Sequence, residues 1–164
     1  MKKPISTDPT PENIRQILQL LTEVPIRLEK LSQGMDETAL HQPMAPDKRS
    51  FHRTLAHLIH CESRTFEAIT QALLANEPTF PAIHPEREFG NLFPFVDQPF
   101  PDLLAYFKIR RAVLLAVLTG LSEKQWARAI QPSAKQRKET VYWQARGQAL
   151  HEWEHVEDLA KKLV

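Results

Sequence analysis

A chain with a single cysteine, Cys61, cannot close an internal disulfide, so no disulfide framework holds this fold and a reducing compartment suits it. Excess charge of either sign is also missing. Across 164 residues, 21 Lys and Arg stand against 20 Asp and Glu, and a net charge near +1 creates no general attraction for nucleic acid or an anionic membrane. No segment approaches the ~18 consecutive apolar residues of a membrane span, and no apolar run follows the basic start at Lys2 and Lys3. Neither a period-two strand pattern nor a repeat of solenoid length appears. The expectation is a soluble, cytoplasmic protein that acts on a small molecule, with neither nucleic acid nor membrane as partner.

What the chain does contain is helical periodicity. Residues 1–9 read as a loose leader, and residues 10–164 as a single domain. Thr10 offers an N-cap and Pro11 a first helical residue, after which Ile14, Ile17, Leu18, Leu21, Val24, Leu28 and Leu31 recur at helical spacing up to Gly34. Pro25 removes a backbone donor inside this run and is expected to bend the helix rather than end it. Asp36 to Leu40 can add a short helical turn. Ser50 caps a second long helix running to about Asn76, whose apolar face collects Phe51, Leu55, Leu58, Ile59, Phe66, Ile69 and Leu73. His57 lies just outside that face beside the small Cys61, whereas His60 falls with Arg64, Glu67 and Gln71 on the polar face.

Residues 77–100 hold five prolines and five phenylalanines, which excludes a regular helix and predicts a loop that packs onto the rest. A third helix opens at Pro101 or Asp102, carries Leu103, Leu104, Phe107, Val113, Leu114, Val117 and Leu118, and ends at Gly120. A short turn follows at Ser122–Trp126. The last helix begins near Thr140 and carries Gln144, Gln148, His151 and His155 along the border of an apolar stripe, a polar seam that needs partners wherever it is buried. The architecture expected is all-α: a four-helix bundle with a long Pro/Phe-rich crossover loop.

The chemistry-bearing pattern is His151-Glu152-Trp153-Glu154-His155. Histidines at i and i+4 share one helix face and can reach one ion, as in H-E-x-x-H sites. A zincin takes its third protein ligand from further along the chain, but only nine residues follow His155 and none is His or Cys, so a completing imidazole must come from upstream.

These segments resemble the DinB/YfiT-like family of four-helix-bundle metalloenzymes. The carriers are Thr22-Glu23-Val24-Pro25-Ile26-Arg27-Leu28 with Leu31 and Gly34, the Pro43/Pro46 loop, and Ser50 followed by Ala56-His57-Leu58-Ile59-His60-Cys61-Glu62. Ala105-Tyr106-Phe107 with Arg110 and Leu114, Leu121 with Trp126, and the His151–His155 block complete the resemblance. It implies that His57, His151 and His155 bind one divalent ion. Similar proteins carry Trp before the serine that opens the second helix and an acidic residue three positions after it. Here Arg49 and Arg53 stand in those places, so the capping box is missing.

Three neutral imidazoles leave a coordination position open, and zinc, nickel, iron or manganese suits such a donor set. The ion can acidify water for hydrolysis, or ionise a low-molecular-weight thiol for S-transfer, as the resemblance also implies. The alternative is a non-catalytic bundle that binds a metal or small ligand.

Glu152 occupies the place of a zincin's general base, but its position is not a fixed glutamate in the family, and an exposed helical side chain is the better reading. Glu62 falls inside an apolar arc and needs a partner, either a ligand imidazole or one of Arg27 and Arg110. Cys61 either meets the ion or fills a small buried space. Gln144 and Gln148 either touch substrate or bridge helices. Trp126, Trp143 and Trp153 read as core or interface anchors. Trp153 and Tyr142 lie away from the histidine edge, where they would serve the homodimer that the resemblance also allows.

Overall fold

The computed structural model describes residues 5–163. Its four long helices are α1 (Pro11–Ser32), α3 (Phe51–Leu74), α5 (Phe100–Thr119) and α7 (Val141–Lys162), with short helices α2 (Glu37–His41), α4 (Gly90–Leu92) and α6 (Glu123–Trp126) in the connections. Local capping sets most of the boundaries. The side chains of Thr10, Ser50 and Thr140 accept from the backbone N–H of Asn13, Arg53 and Trp143, respectively, each satisfying a donor that the first helical turn leaves open. Ser122 and Gln125 form a reciprocal capping box at α6. Ser50 caps without such a box, because Arg53 has no acceptor to return.

Helix α1 packs on α7 and α5, and α3 packs on the same two helices, so α1 and α3 face each other across the bundle. The core forms two apolar clusters. One gathers Ile17, Leu21, Ala68, Leu114, Tyr142 and Ala149, and the other Val24, Leu28, Leu55, Phe107 and Val156. Along α3, α5 and α7 a polar residue sits between members of the two: Glu62, Arg111 and Glu152, all buried. Pro25 has a direct role in this layer. Its missing N–H deprives the Leu21 carbonyl four residues back of its helical partner, and Arg111 Nη1 donates to that oxygen at 2.7 Å.

Several expectations are corrected. The leader is anchored over its described part: Ile5 is buried, and the Ser6 carbonyl accepts from Tyr142 Oη at 2.7 Å and from Arg146 Nε at 3.0 Å. Residues 1–4 lie outside the described residues. A three-stranded sheet is present, β1 (Thr79–Phe80), β2 (Ala129–Pro132) and β3 (Glu139–Thr140), with β2 central, parallel to β1 and antiparallel to β3. Strands of two to four residues are too short to show alternation in a sequence. On α5, Val113 and Val117 are exposed, since that helix is apolar on more than one face and periodicity alone does not select the buried one. Tyr142 is buried against Trp126 instead of being free for a dimer contact.

The crossover between α3 and α5 is irregular but structured. It holds a π-helical turn (Pro85–Phe89), then α4, then a 3-10 turn (Phe95–Asp97). It closes over α3 and buries His60, whose Nε2 meets the Phe93 carbonyl at 3.0 Å. His60 therefore sits on the polar face of its own helix yet lies inside the protein, because a segment distant in sequence covers that face.

Candidate metal centre

Of the seven histidines, three meet at one point. His57 comes from α3, and His151 and His155 lie one turn apart on α7. His151 Nε2 lies 3.2 Å from His57 Nε2 and 3.2 Å from His155 Nε2. Nitrogens held about 2.0–2.1 Å from a tetrahedral ion stand about 3.3 Å from one another, and both of these contacts have that spacing. The rings present edges rather than stacked faces, with interplanar angles of 63°, 69° and 79°.

Their protonation state fits the same use. Burial, reinforced by the Arg49 guanidinium, pushes the His57 pKa down to about 4. Burial also lowers the pKa of His151 and of His155, the latter helped by His151. All three rings are neutral near pH 7, and each has one nitrogen lone pair to offer.

A carboxylate sets the direction of one lone pair. Glu86, in the π-helical turn, has Oε1 3.0 Å from His57 Nδ1, and Arg49 Nη2 holds both of its oxygens at 2.8 Å. A proton on Nδ1 directed at Glu86 leaves the Nε2 lone pair facing His151. This is the acceptor that metal-binding histidines ordinarily have on their far nitrogen. Cys61 Sγ lies 3.7 Å from His57 Nε2, and His57, Cys61 and His151 together offer ligand atoms within 4.8 Å of one another. Burial, with Glu86 adding to it, raises the Cys61 thiol to about 12, so the sulfur is protonated when no ion is bound.

A family model of the DinB superfamily matches residues 20–159. The chain belongs to the DinB superfamily. Among solved structures it is similar to YfiT from Bacillus subtilis, with a TM-score of 0.80 at 17% identity, over 98% of this chain and 90% of that one. YfiT is described as a probable metal-dependent hydrolase with an unusual four-helix bundle topology; at this identity the likeness carries the fold. No curated protein matches the chain.

Within this DinB bundle the remaining candidates separate into site and support. Glu152 is neither exposed nor free. Arg111 Nη2 donates to its two oxygens at 2.6 and 2.8 Å, and Gln148 Nε2 donates to Oε1 at 2.6 Å. Both Glu152 oxygens are thus engaged inside the bundle. Glu62 contacts no ligand imidazole in hydrogen-bond range. Its expected pairing with Arg27 or Arg110 is replaced by Arg111, whose Nε lies 3.6 Å from Glu62 Oε1, too far for a hydrogen bond. Arg27 instead pairs with Glu157 and lies over Trp153.

Gln144 and Gln148 bridge helices. Gln144 accepts from Arg64 at 2.7 Å and donates to Glu139 at 2.6 Å, while Gln148 accepts from Thr65 at 2.8 Å. Sequence reasoning missed Glu86 and Arg111. The signal for Arg111 is Pro25, which guarantees an orphan carbonyl needing a donor. The signal for Glu86 is weaker: Arg49, standing where similar proteins carry Trp, needs an anion.

Proposed function

We propose that this DinB superfamily member is a divalent-metal-dependent enzyme, in the first place a hydrolase, with the ion held by His57, His151 and His155. The observation that carries the reading is the convergence of three neutral Nε2 atoms, His151 standing 3.2 Å from each of the others. An ion held by three imidazoles keeps an open coordination position, where it makes water acidic enough to react near neutral pH. The chain's own part is to hold the donors: Glu86 orients His57, and the Arg111–Glu152 pair fixes the turn of α7 that carries His151 and His155. Zinc is the first choice, and nickel, iron and manganese suit the same donors. The resemblance to YfiT, described as a probable metal-dependent hydrolase, supports hydrolysis.

A second reading, transfer to a small thiol, is favoured by the engagement of Glu152 with Arg111, since ionising a bound thiol needs no protein carboxylate as base. Titrating metal-free protein with zinc against a chromogenic chelator tests the site itself. One equivalent is expected, lost in His57→Ala, His151→Ala and His155→Ala and retained in His60→Gln and Cys61→Ser. Loss in Cys61→Ser with retention in His155→Ala would replace the donor set with His57, Cys61 and His151. Turnover of 4-nitrophenyl esters, against calorimetric uptake of a small thiol by the zinc form, then separates the two chemistries; the absence of both leaves a metal-binding bundle without catalysis.

A further inference from the structure

Helix α7 carries Trp143, Gly147 and His151 at four-residue steps, so all three lie on one face. Glycine is among the poorest helix formers, and a glycine in mid-helix calls for a local reason. Close packing is not the reason, since a Cβ built on Gly147 meets nothing within 4 Å; nor is a left-handed backbone, since Gly34 is the described glycine with positive φ. What lies in front of Gly147 is a cavity of about 560 Å³, bounded also by Trp143, His151, Cys61 and Ile83. That volume falls in the range of small-molecule sites. The missing side chain leaves a flat floor between an aromatic wall and the histidine cluster, two helical turns or about 12 Å apart.

The charges around this space are unbalanced. Arg64, Arg87 and Lys135 line it, against Glu139. Glu139 is buried and already engaged: Lys135 Nζ reaches Oε1 at 2.6 Å, Gln144 Nε2 reaches Oε2 at 2.6 Å, and Arg64 stands 3.8 Å from Oε2. Arg87 pairs with Glu88, and Arg137 lies over the Trp143 ring at 4.0 Å. Arg64, Lys135 and Gln144 therefore cluster at the Trp143 end, away from His151.

The other opening onto the histidines lacks this excess of positive charge. A larger cavity of about 1300 Å³ reaches His155 between α1 and α7, and its wall carries Glu12, Glu154, Glu157 and Asp158 with Lys48 and Lys161. Glu12, Glu157 and Asp158 are paired with Arg15, Arg27 and Lys162, so charge there is close to balanced.

We propose that the cavity over Gly147 binds a small organic carboxylate with a flat apolar body. The carboxylate lies near Lys135 and Arg64, the apolar body lies across Gly147 against Trp143, and the far end points toward His151. This names the substrate class for the metal site and rests on that reading only for the role of the far end. Binding itself needs no ion.

The probe is 4-phenylbutyrate, with its uncharged isostere 4-phenylbutyramide, each titrated by calorimetry into metal-free protein. The acid is expected to bind at least about tenfold tighter than the amide, the size of one hydrogen bond to a charged group. The double variant Arg64→Gln/Lys135→Gln brings that ratio toward one. Gly147→Leu abolishes binding of both, while its circular dichroism is unchanged and its unfolding midpoint is not lowered, because leucine is the better helix former and its Cβ meets nothing within 4 Å. Equal affinity for acid and amide, no binding of either, or wild-type binding by Gly147→Leu overturns the proposal. The same protein titrated with zinc keeps the two readings apart: zinc uptake without acid preference removes the pocket alone, and acid preference without zinc uptake removes the metal centre alone.

Discussion

Replacing Glu62 by glutamine tests the polar layer beneath the histidines. Both carboxylate oxygens of Glu62 are buried without a hydrogen-bond partner, as is Arg111 Nε, and Arg111 is shared with Glu152, which takes its Nη2. Burial therefore raises the Glu62 pKa from 4.5 to about 7; Arg111 opposes the rise and Glu152 adds to it. Below pH 4.5 the group is protonated whether the chain is folded or unfolded, and it costs nothing. Between 4.5 and about 7 the unfolded chain releases the proton while the folded one keeps it, so stability falls as pH rises. Above about 7 the cost is constant, at about 1.4 kcal/mol per tenfold difference in acidity, or about 3 kcal/mol in total.

Glu62→Gln keeps the shape and removes the titration. Urea unfolding of both proteins between pH 5 and 8 in the presence of chelator, followed by tryptophan fluorescence, should give stabilities that differ by about 1 kcal/mol or less at pH 5. At pH 8 the variant should be more stable by about 3 kcal/mol. The histidines act with the opposite sign. Held below their ordinary range, they contribute stability that is full above pH 6.5 and lost as pH falls toward their folded values, but this is common to both proteins and cancels in the difference. A difference that does not change with pH would refute the reasoning, since Glu62 would then ionise alike in both states.

Two further outcomes are expected. Glu86→Gln should weaken zinc binding by about 10- to 100-fold with little change in the fold, the usual effect of removing the acceptor behind a ligand imidazole, and competition with a chelator measures it. Arg111→Leu should destabilise by about 3–5 kcal/mol in urea, because it leaves the Glu152 carboxylate buried without its counter-charge and reopens the Leu21 carbonyl orphaned by Pro25.

The legible parts of this protein were those set by neighbours along the chain. Thr10 before Pro11, Ser50, Ser122 and Thr140 each mark a helix start because a cap bonds to a backbone group three residues on, and the structure has a helix beginning at each. His151 and His155 share a face because helical geometry requires it. Only the family-like segments around His57 pointed toward that pair, since helical phase alone left it at a margin.

What only the tertiary structure decided were the partners of charges and the covering of faces. Glu86 reaches His57 from 29 positions away, Arg111 reaches Glu152 from 41, and the Phe93 carbonyl covers His60 from 33. Glu152 was misread as exposed because the sequence shows which helix face a residue occupies but not what is packed against it. Periodicity reports local geometry, while burial and ion pairing depend on which distant segment arrives, and that is settled only when the bundle and its crossover close together.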